Sequence, residues 1–280
     1  MKKILLPTDF SDNAWNAIAY ALQLYKNTKC NFILLNTYTP IVYQVEFMQY
    51  STPQFQLMET VKETSKKRLQ ELVEKIETEF PNPNHQFTTI SSFNTLTGEI
   101  SELYEGNVMD LIIMGTKGAS GVKEVLFGSN TMHVLNNAKC PVIAIPSDFN
   151  FEKPHELLFP SDYEIDFKDE HIQPLIDIAT LYNIRINIMH VYYGEALTDK
   201  QEKNRQKLET KFKGVAHLFH NIKNQNIPKA ITEFQIKTKI NLLVMINNKH
   251  SFFENLFFKS NIKHIGFHLN VPFMVIPSQI

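Results

Sequence analysis

Residues 110–118 read Asp110-Leu111-Ile112-Ile113-Met114-Gly115-Thr116-Lys117-Gly118, and after nine further residues the chain continues Gly128-Ser129. The apolar run Leu111–Met114 does not alternate with polar residues, which suits a strand buried on both faces of a parallel sheet. Gly115 ends that strand, Gly118 lies in the turn beyond it, and Gly128-Ser129 opens the next helix. Without Cβ atoms the main chain of these glycines can approach a ligand closely. Backbone N–H groups and the positive end of the helix dipole then face the same crevice, which favours an anion such as a phosphate. The hydroxyls of Ser129 and Thr131 add donors for phosphate oxygens.

Working outward, similar short apolar runs occur at Ile4–Leu6, Phe32–Leu35 and Val142–Ile145. Helical patterns lie between them. Ser11 can cap a helix over about 12–27 with Ala14, Ile18, Ala21 and Leu22 on one face. A longer helix fits 54–79 along the stripe Leu69, Leu72, Val73 and Ile76, and its charge-alternating opposite face reads as solvated. Further helices fit 97–106 and 128–138. This alternation predicts a doubly wound α/β layer with right-handed crossovers.

The chain then repeats itself. Ile4-Leu5-Leu6-Pro7-Thr8-Asp9-Phe10 returns as Leu157-Leu158-Phe159-Pro160-Ser161-Asp162-Tyr163. From Met114 to Pro146 the first copy aligns without a gap on Met245 to Pro277, with Ser129/Ser260, Asn130/Asn261 and His133/His264 identical. The second copy is shorter in its middle. Its strands are expected near 156–160, 184–192, 215–221, 241–246 and 272–277, and its helices near 168–182, 198–213, 228–238 and 260–269. Two tandem domains follow, 1–147 and 155–280, joined by the polar segment Ser147–Pro154.

Composition sets the outer bounds. The 280 residues fit about two domains, and 43% hydrophobic with 20% charged residues is ordinary for a globular chain. Lys+Arg 28 against Asp+Glu 29 leaves a net charge of -1, which argues against a nucleic-acid partner held by a basic footprint. Cys30 and Cys140 are too few for a disulfide framework and read as reduced thiols of a cytoplasmic protein, with Cys140 inert at the start of a buried strand. The apolar run after Lys2-Lys3 stops at Pro7, which argues against a secretory leader, and no stretch approaches the roughly 18 apolar residues of a membrane span.

In an open α/β sheet, ligands sit beyond the carboxyl ends of the strands where strand order reverses. The first strand ends at Pro7-Thr8-Asp9, so Asp9 falls beside the glycine loop, where its carboxylate can accept from an adenine amino group or a ribose hydroxyl. This constellation resembles the universal stress protein family in its ATP-binding subgroup, whose pattern is Gly, two residues, Gly, nine residues, Gly, then Ser or Thr. Gly115, Gly118, Gly128 and Ser129 match it at every position, and Ile4–Asp9 and Cys140-Pro141-Val142 extend the likeness.

The resemblance implies a five-stranded parallel sheet of order 3-2-1-4-5 in each domain. It implies adenine recognition by Asp9 and by the backbone near Thr37. Ribose and phosphate contacts would come from Met114, Gly115, Gly118, Gly128, Ser129, Asn130 and Thr131, with Mg2+ or Mn2+ able to accompany the phosphates. Asn130 departs from the small apolar residue often found there, though its backbone N–H is still available. The resemblance further implies a stress-response role as a nucleotide-dependent regulatory module. The strands at 142–146 and 273–277 would then pair as an internal pseudo-dimer, with a homodimer left open. Occupancy would set the conformation of the 116–128 loop and so alter a surface read by a protein partner.

The second copy lacks this site. Gly115, Gly118 and Gly128 align with Ile246, Lys249 and Lys259, whose side chains take the space of the phosphates, and a β-branched Ile246 opposes the backbone geometry. Phe252, Phe253, Phe257 and Phe258 crowd the same loop and read as packing residues. Asp162 reads as a structural remnant or helix cap. Other chemistries fit less well. Gly115, Gly118 and Gly121 follow a fourth strand rather than the first strand of a dinucleotide fold, and no P-loop Lys-Ser pair follows. The ten histidines are scattered, with His217 and His220 on opposite sides of a strand and His133 and His264 in a shared structural position. No triad or paired-carboxylate arrangement supports catalysis. A slow ATP hydrolase using the same loop and a ligand-free interaction protein are the rivals to the binding module.

Overall fold

The computed structural model describes residues 1–39, 52–117, 127–223, 226–248 and 270–278. Two compact units, Met1–Ala138 and Lys139–Ile280, divide the chain.

Unit 1 runs β1 (Lys2–Pro7), α1 (Asp12–Leu24), β2 (Cys30–Thr37), α2 (Thr52–Glu79), β3 (His85–Ser92), α3 (Leu96–Glu105), β4 (Leu111–Gly115) and α4 (Ser129–Asn137). Its strands lie in the order β3-β2-β1-β4 and are parallel. The central strands carry the apolar runs because both their faces are covered: Ile4, Leu5, Leu6, Phe32, Leu34, Leu35, Ile112 and Ile113 are fully buried. Each such side chain contributes about 1.5–3 kcal/mol relative to exposure. Helix α1 starts where Ser11 Oγ accepts the Ala14 N–H and buries Ala14, Ile18, Ala21 and Leu22, as the spacing predicts. It ends three residues early, because the Thr28 N–H turns back to the Tyr25 carbonyl. Leu69 and Ile76 of α2 are buried, while Leu72 and Val73 are only half-buried at the margin of its stripe.

Strand β3 has no apolar run to announce it. It is the outer strand of its sheet, with Phe87 and Ile90 the only large apolar residues in a polar sequence. Its backbone is fixed instead by a full parallel register on β2, from Cys30↔His85 to Thr37↔Ser92.

Unit 2 runs β5 (Val142–Ile145), β6 (Glu156–Pro160), α5 (Asp169–Tyr182), β7 (Arg185–Tyr192), α6 (Asp199–Lys211), β8 (His217–Lys223), α7 (Ile227–Thr238), β9 (Leu242–Asn247) and β10 (Phe273–Pro277). The second copy thus has the five parallel strands of order 3-2-1-4-5, as β8-β7-β6-β9-β10. The first copy's closing strand, β5, is grouped with this unit. There it pairs antiparallel with β10 through Ala144↔Phe273, Ile143↔Met274 and Val142↔Val275, the pairing expected of the two closing strands. The helix expected over 260–269, and His264 with it, lies outside the described residues. His133 is exposed on α4, which gives no support to a shared structural role for that position.

Buried polar groups are few and mostly bonded. Cys30 and Cys140 are free and buried, and burial pushes the Cys30 thiol up to about 11. On β8 the two histidines diverge: His217 Nδ1 bonds the Val215 carbonyl, while His220 Nε2 donates to Asn187 Oδ1 and its ring meets Phe234 edge-on. Asn187 is fully buried and also donates to Glu156, which holds Arg185.

Burial holds the pKa of His85 below its ordinary value, partly offset by its bond to the Tyr25 carbonyl. Burial also lowers that of His220, helped by Arg185 and opposed by Glu156. Below the unperturbed value of 6.5 the unfolded chain therefore binds protons more readily than the folded one. Urea-unfolding stability should fall as the pH drops through about 6.5, with a slope set by the uptake of up to about one proton per histidine on unfolding. In the His85→Gln/His220→Gln variant that slope should flatten.

Candidate functional site

The parallel registers bring three strand ends to one edge of unit 1. Pro7 lies opposite Leu35, and Leu5 opposite Ile112, so continuing each strand sets Thr8-Asp9, Asn36-Thr37 and Met114-Gly115 side by side. β1 and β4 are the neighbours between which the strand order reverses, the place where open α/β sheets take ligands.

The turn after β1 is tightly specified. The Thr8 N–H donates to the Leu35 carbonyl at 2.8 Å, and Thr8 Oγ1 accepts the Phe10 N–H at 2.9 Å. Phe10 is left-handed at φ 62°, a conformation that costs a non-glycine residue about 1–2 kcal/mol. Between these pinned groups, Asp9 is exposed. Its Oδ1 accepts from Ser11 N at 3.0 Å and from Ser11 Oγ at 2.6 Å. Thr37 is half-buried at the end of β2, and Pro7 and Met114 are buried.

Gly115 has a role beyond ligand approach. A Cβ there would stand 2.5 Å from Asn13 Nδ2, 2.8 Å from Asn13 Cγ and 3.0 Å from the Asn13 carbonyl oxygen. The bare α-carbon is what lets the first turn of α1 close on the end of β4. Asn13 Nδ2 also donates to the Lys117 carbonyl just beyond.

The far end of the loop returns to the same place. The Gly128 N–H donates to the Thr116 carbonyl at 2.7 Å, and buried Thr131 donates its hydroxyl to the Gly115 carbonyl at 2.9 Å. That bond corrects the expectation for the Thr131 hydroxyl: its one proton ties α4 to β4, which leaves the backbone N–H to face an anion. Gly128 is the N-cap of α4 and carries no capping side chain, and the first intrahelical bond runs from Met132 N to the Gly128 carbonyl. The amides of Ser129, Asn130 and Thr131 therefore have no intrahelical acceptor at the positive end of the helix. Ser129 and Asn130 are exposed there. Gly118 lies outside the described residues. Among the described residues, no three His, Cys, Asp or Glu side chains gather as a metal site, and no helix is long and apolar enough to cross a membrane.

Reading by residue type passed over two asparagines. Asn13 lay on the polar side of its helix pattern, and Asn36 followed an apolar run. Asn36 Nδ2 donates to the Thr8 carbonyl at 2.8 Å, directly behind Asp9. The sequence signal for either is only its place beside a predicted feature: Asn36 directly precedes Thr37, and Asn13 stands two residues after the Ser11 cap.

Unit 2 builds the same turn. Ser161 Oγ accepts the Tyr163 N–H at 3.1 Å, and Tyr163 is left-handed at φ 59°. Burial raises the Asp162 carboxyl above its ordinary value. Asp162 caps no helix: its Oδ1 accepts from Glu164 N at 3.0 Å, and α5 begins only at Asp169. Ile246 is buried at the position aligned with Gly115. Lys249, Lys259, Phe252, Phe253, Phe257 and Phe258 lie outside the described residues.

Comparison with known proteins places these features. The family model described as the universal stress protein family matches residues 1–146. Universal stress protein MJ0531 of Methanocaldococcus jannaschii is 29% identical over 145 residues, covering 51% of this chain and 81% of that protein. Universal stress protein MJ0577 of the same organism is 27% identical over 157 residues, covering 51% of this chain and 94% of that one. Among solved structures, a universal stress protein from Archaeoglobus fulgidus matches 98% of both chains at a TM-score of 0.72 and 20% identity, a likeness of fold.

The contact at Gly115 is directly testable. Gly115→Ala should destabilise the chain by about 1–3 kcal/mol in urea unfolding, the range for overpacking a close contact. Asn13→Ala should restore part of that loss in the double variant, because it removes the two nearest atoms but not the Asn13 carbonyl.

Proposed function

The chain belongs to the universal stress protein family, and from that premise we propose that its first unit binds an adenine nucleotide, in the first instance ATP. The observation that carries this reading is the uncapped amino end of α4, bound by Thr131 to the end of β4 beside the Asp9 turn. An anion is stabilised at such a helix end by both the free amides and the dipole. Asp9 and the backbone near Thr37 take the adenine. Met114, Gly115 and Gly118 contribute to the ribose and phosphate contacts, with Pro7 and Thr8 at the end of the first strand. Gly128, Ser129, Asn130 and Thr131 hold the phosphates. Mg2+ or Mn2+ would accompany the phosphate oxygens.

In this reading the protein is a regulatory module of the stress response in the cytoplasm. Its nucleotide state is read by a protein partner at the 116–128 loop, and the domains are 1–147 and 155–280. The second copy holds no nucleotide, because buried Ile246 stands where the glycine is needed.

Titration calorimetry and native mass spectrometry of the full chain with ATP and Mg2+ should give one nucleotide per chain. Two would defeat the reading of the second copy, and none with ATP, ADP, AMP or a cyclic nucleotide would leave an interaction protein. Retention without phosphate release marks a binding module, whereas steady release that Gly118→Ala removes would mark a slow hydrolase. Gly128 has φ -65° and ψ 160°, which any residue can adopt. Gly128→Lys, the residue of the second copy, should therefore abolish the binding heat while moving the melting temperature by about 2 °C or less.

A further inference from the structure

The carbonyl of Thr8 is the group from which the Asp9 turn hangs, and a directed chain of side-chain bonds ends on it. Ser91 Oγ on β3 donates to Ser65 Oγ on α2 at 2.8 Å. Ser65 Oγ donates to Asn36 Oδ1 at 2.8 Å. Asn36 Nδ2 donates to the Thr8 carbonyl at 2.8 Å. Ser65 is buried and Asn36 and Ser91 are half-buried, so the relay is partly shielded from solvent. Turning the Asn36 amide over would set two acceptors, Oδ1 and the Thr8 carbonyl, against each other, so its orientation is fixed. With the Phe10 N–H held by Thr8 Oγ1, the peptide groups on both sides of Asp9 are pinned.

The second copy reaches the same arrangement with a different residue. Pro7 pairs with Leu35, and Pro160 with Met189, so Asn36 and His190 are the next residues along in the same register. His190 Nδ1 lies 2.9 Å from the Ser161 carbonyl, where its N–H donates. Two chemically unlike side chains thus supply one N–H to one carbonyl, which marks the donor itself as what the turn requires.

We propose that Asn36 is a positioning residue for base recognition: by fixing the Thr8 carbonyl, it aims the Asp9 carboxylate at the exocyclic amino group of a purine and so sets a preference for 6-amino over 6-oxo purines. This rests on the adenine-nucleotide reading of the first unit. Asn36 itself touches no ligand. A carboxylate accepts from a 6-amino group and is repelled by a 6-oxo oxygen, so the preference depends on where Asp9 points.

The test compares dissociation constants for ATP and inosine triphosphate on the full chain. The natural chain should prefer ATP. Asn36→Ala should reduce that preference about fivefold or more, the range of a lost hydrogen bond. Asn36→His, which supplies the donor used by the second copy, should keep the preference within about twofold of the natural chain. Ser65→Ala frees the Asn36 amide without removing it, and should give a smaller loss that is measurable even where an Asn36 variant does not fold. An ATP preference unchanged in folded Asn36→Ala or in Ser65→Ala overturns the proposal. So does a loss in Asn36→His as large as in Asn36→Ala, or a natural chain that binds both nucleotides equally. A natural chain that binds neither defeats the nucleotide reading beneath it.

Discussion

The first turn of α1 lies against the last residue of β4 with no room for a β-carbon at Gly115. The rest of the candidate site depends on this approach. It carries the Asn13 amide to the Lys117 carbonyl and sets the height at which the Gly115 carbonyl meets Thr131. Through Thr131 it fixes the start of α4, and through Ser11 it fixes the side of Asp9. One missing methyl group therefore connects the end that faces a base to the end that faces an anion.

The two copies share the turn that closes their first strand. Both keep a Thr or Ser whose hydroxyl accepts the N–H two residues on, a left-handed aromatic residue, and a side-chain donor on the preceding carbonyl. These features close the first strand and survive where no glycine loop follows. In unit 2 the segment between Tyr163 and α5 is longer than its counterpart, and α6 lies along it. Gln201 and Asn204 donate to the carbonyls of Asp162 and Tyr163. Lys200, Lys207 and Lys211 pair with Glu164, Asp166 and Asp169. Exposed pairs of this kind contribute about 0–1 kcal/mol each, so the two amide bonds and the burial of Tyr163 and Phe167 hold the segment more firmly.

Polar side chains inside unit 1 act on main-chain atoms more than on one another. Asn36, Thr131 and Asn13 each end on a carbonyl, and Thr8 and Ser11 each receive an N–H. An unmade bond at a buried carbonyl costs about 1–3 kcal/mol, which is why such residues are fixed in orientation. The site is thus a surface of prearranged backbone, and its side chains mostly determine where that backbone stands.

The strands with apolar runs and the helices between them, the duplication, the cap at Ser11 and the glycine pattern around residues 115–128 were legible in the chain, because each is a pattern of burial, repetition or turn chemistry. The absence of an apolar run hid β3, since an outer strand is held by its neighbour's register rather than by its own hydrophobicity. Only the tertiary structure decided that Gly115 makes room for Asn13, that the Thr131 hydroxyl is spent on β4, and that Asn36 stands behind Asp9. Each of these joins residues far apart in the chain, and no local pattern encodes a contact that exists only when two strand ends and two helix ends meet.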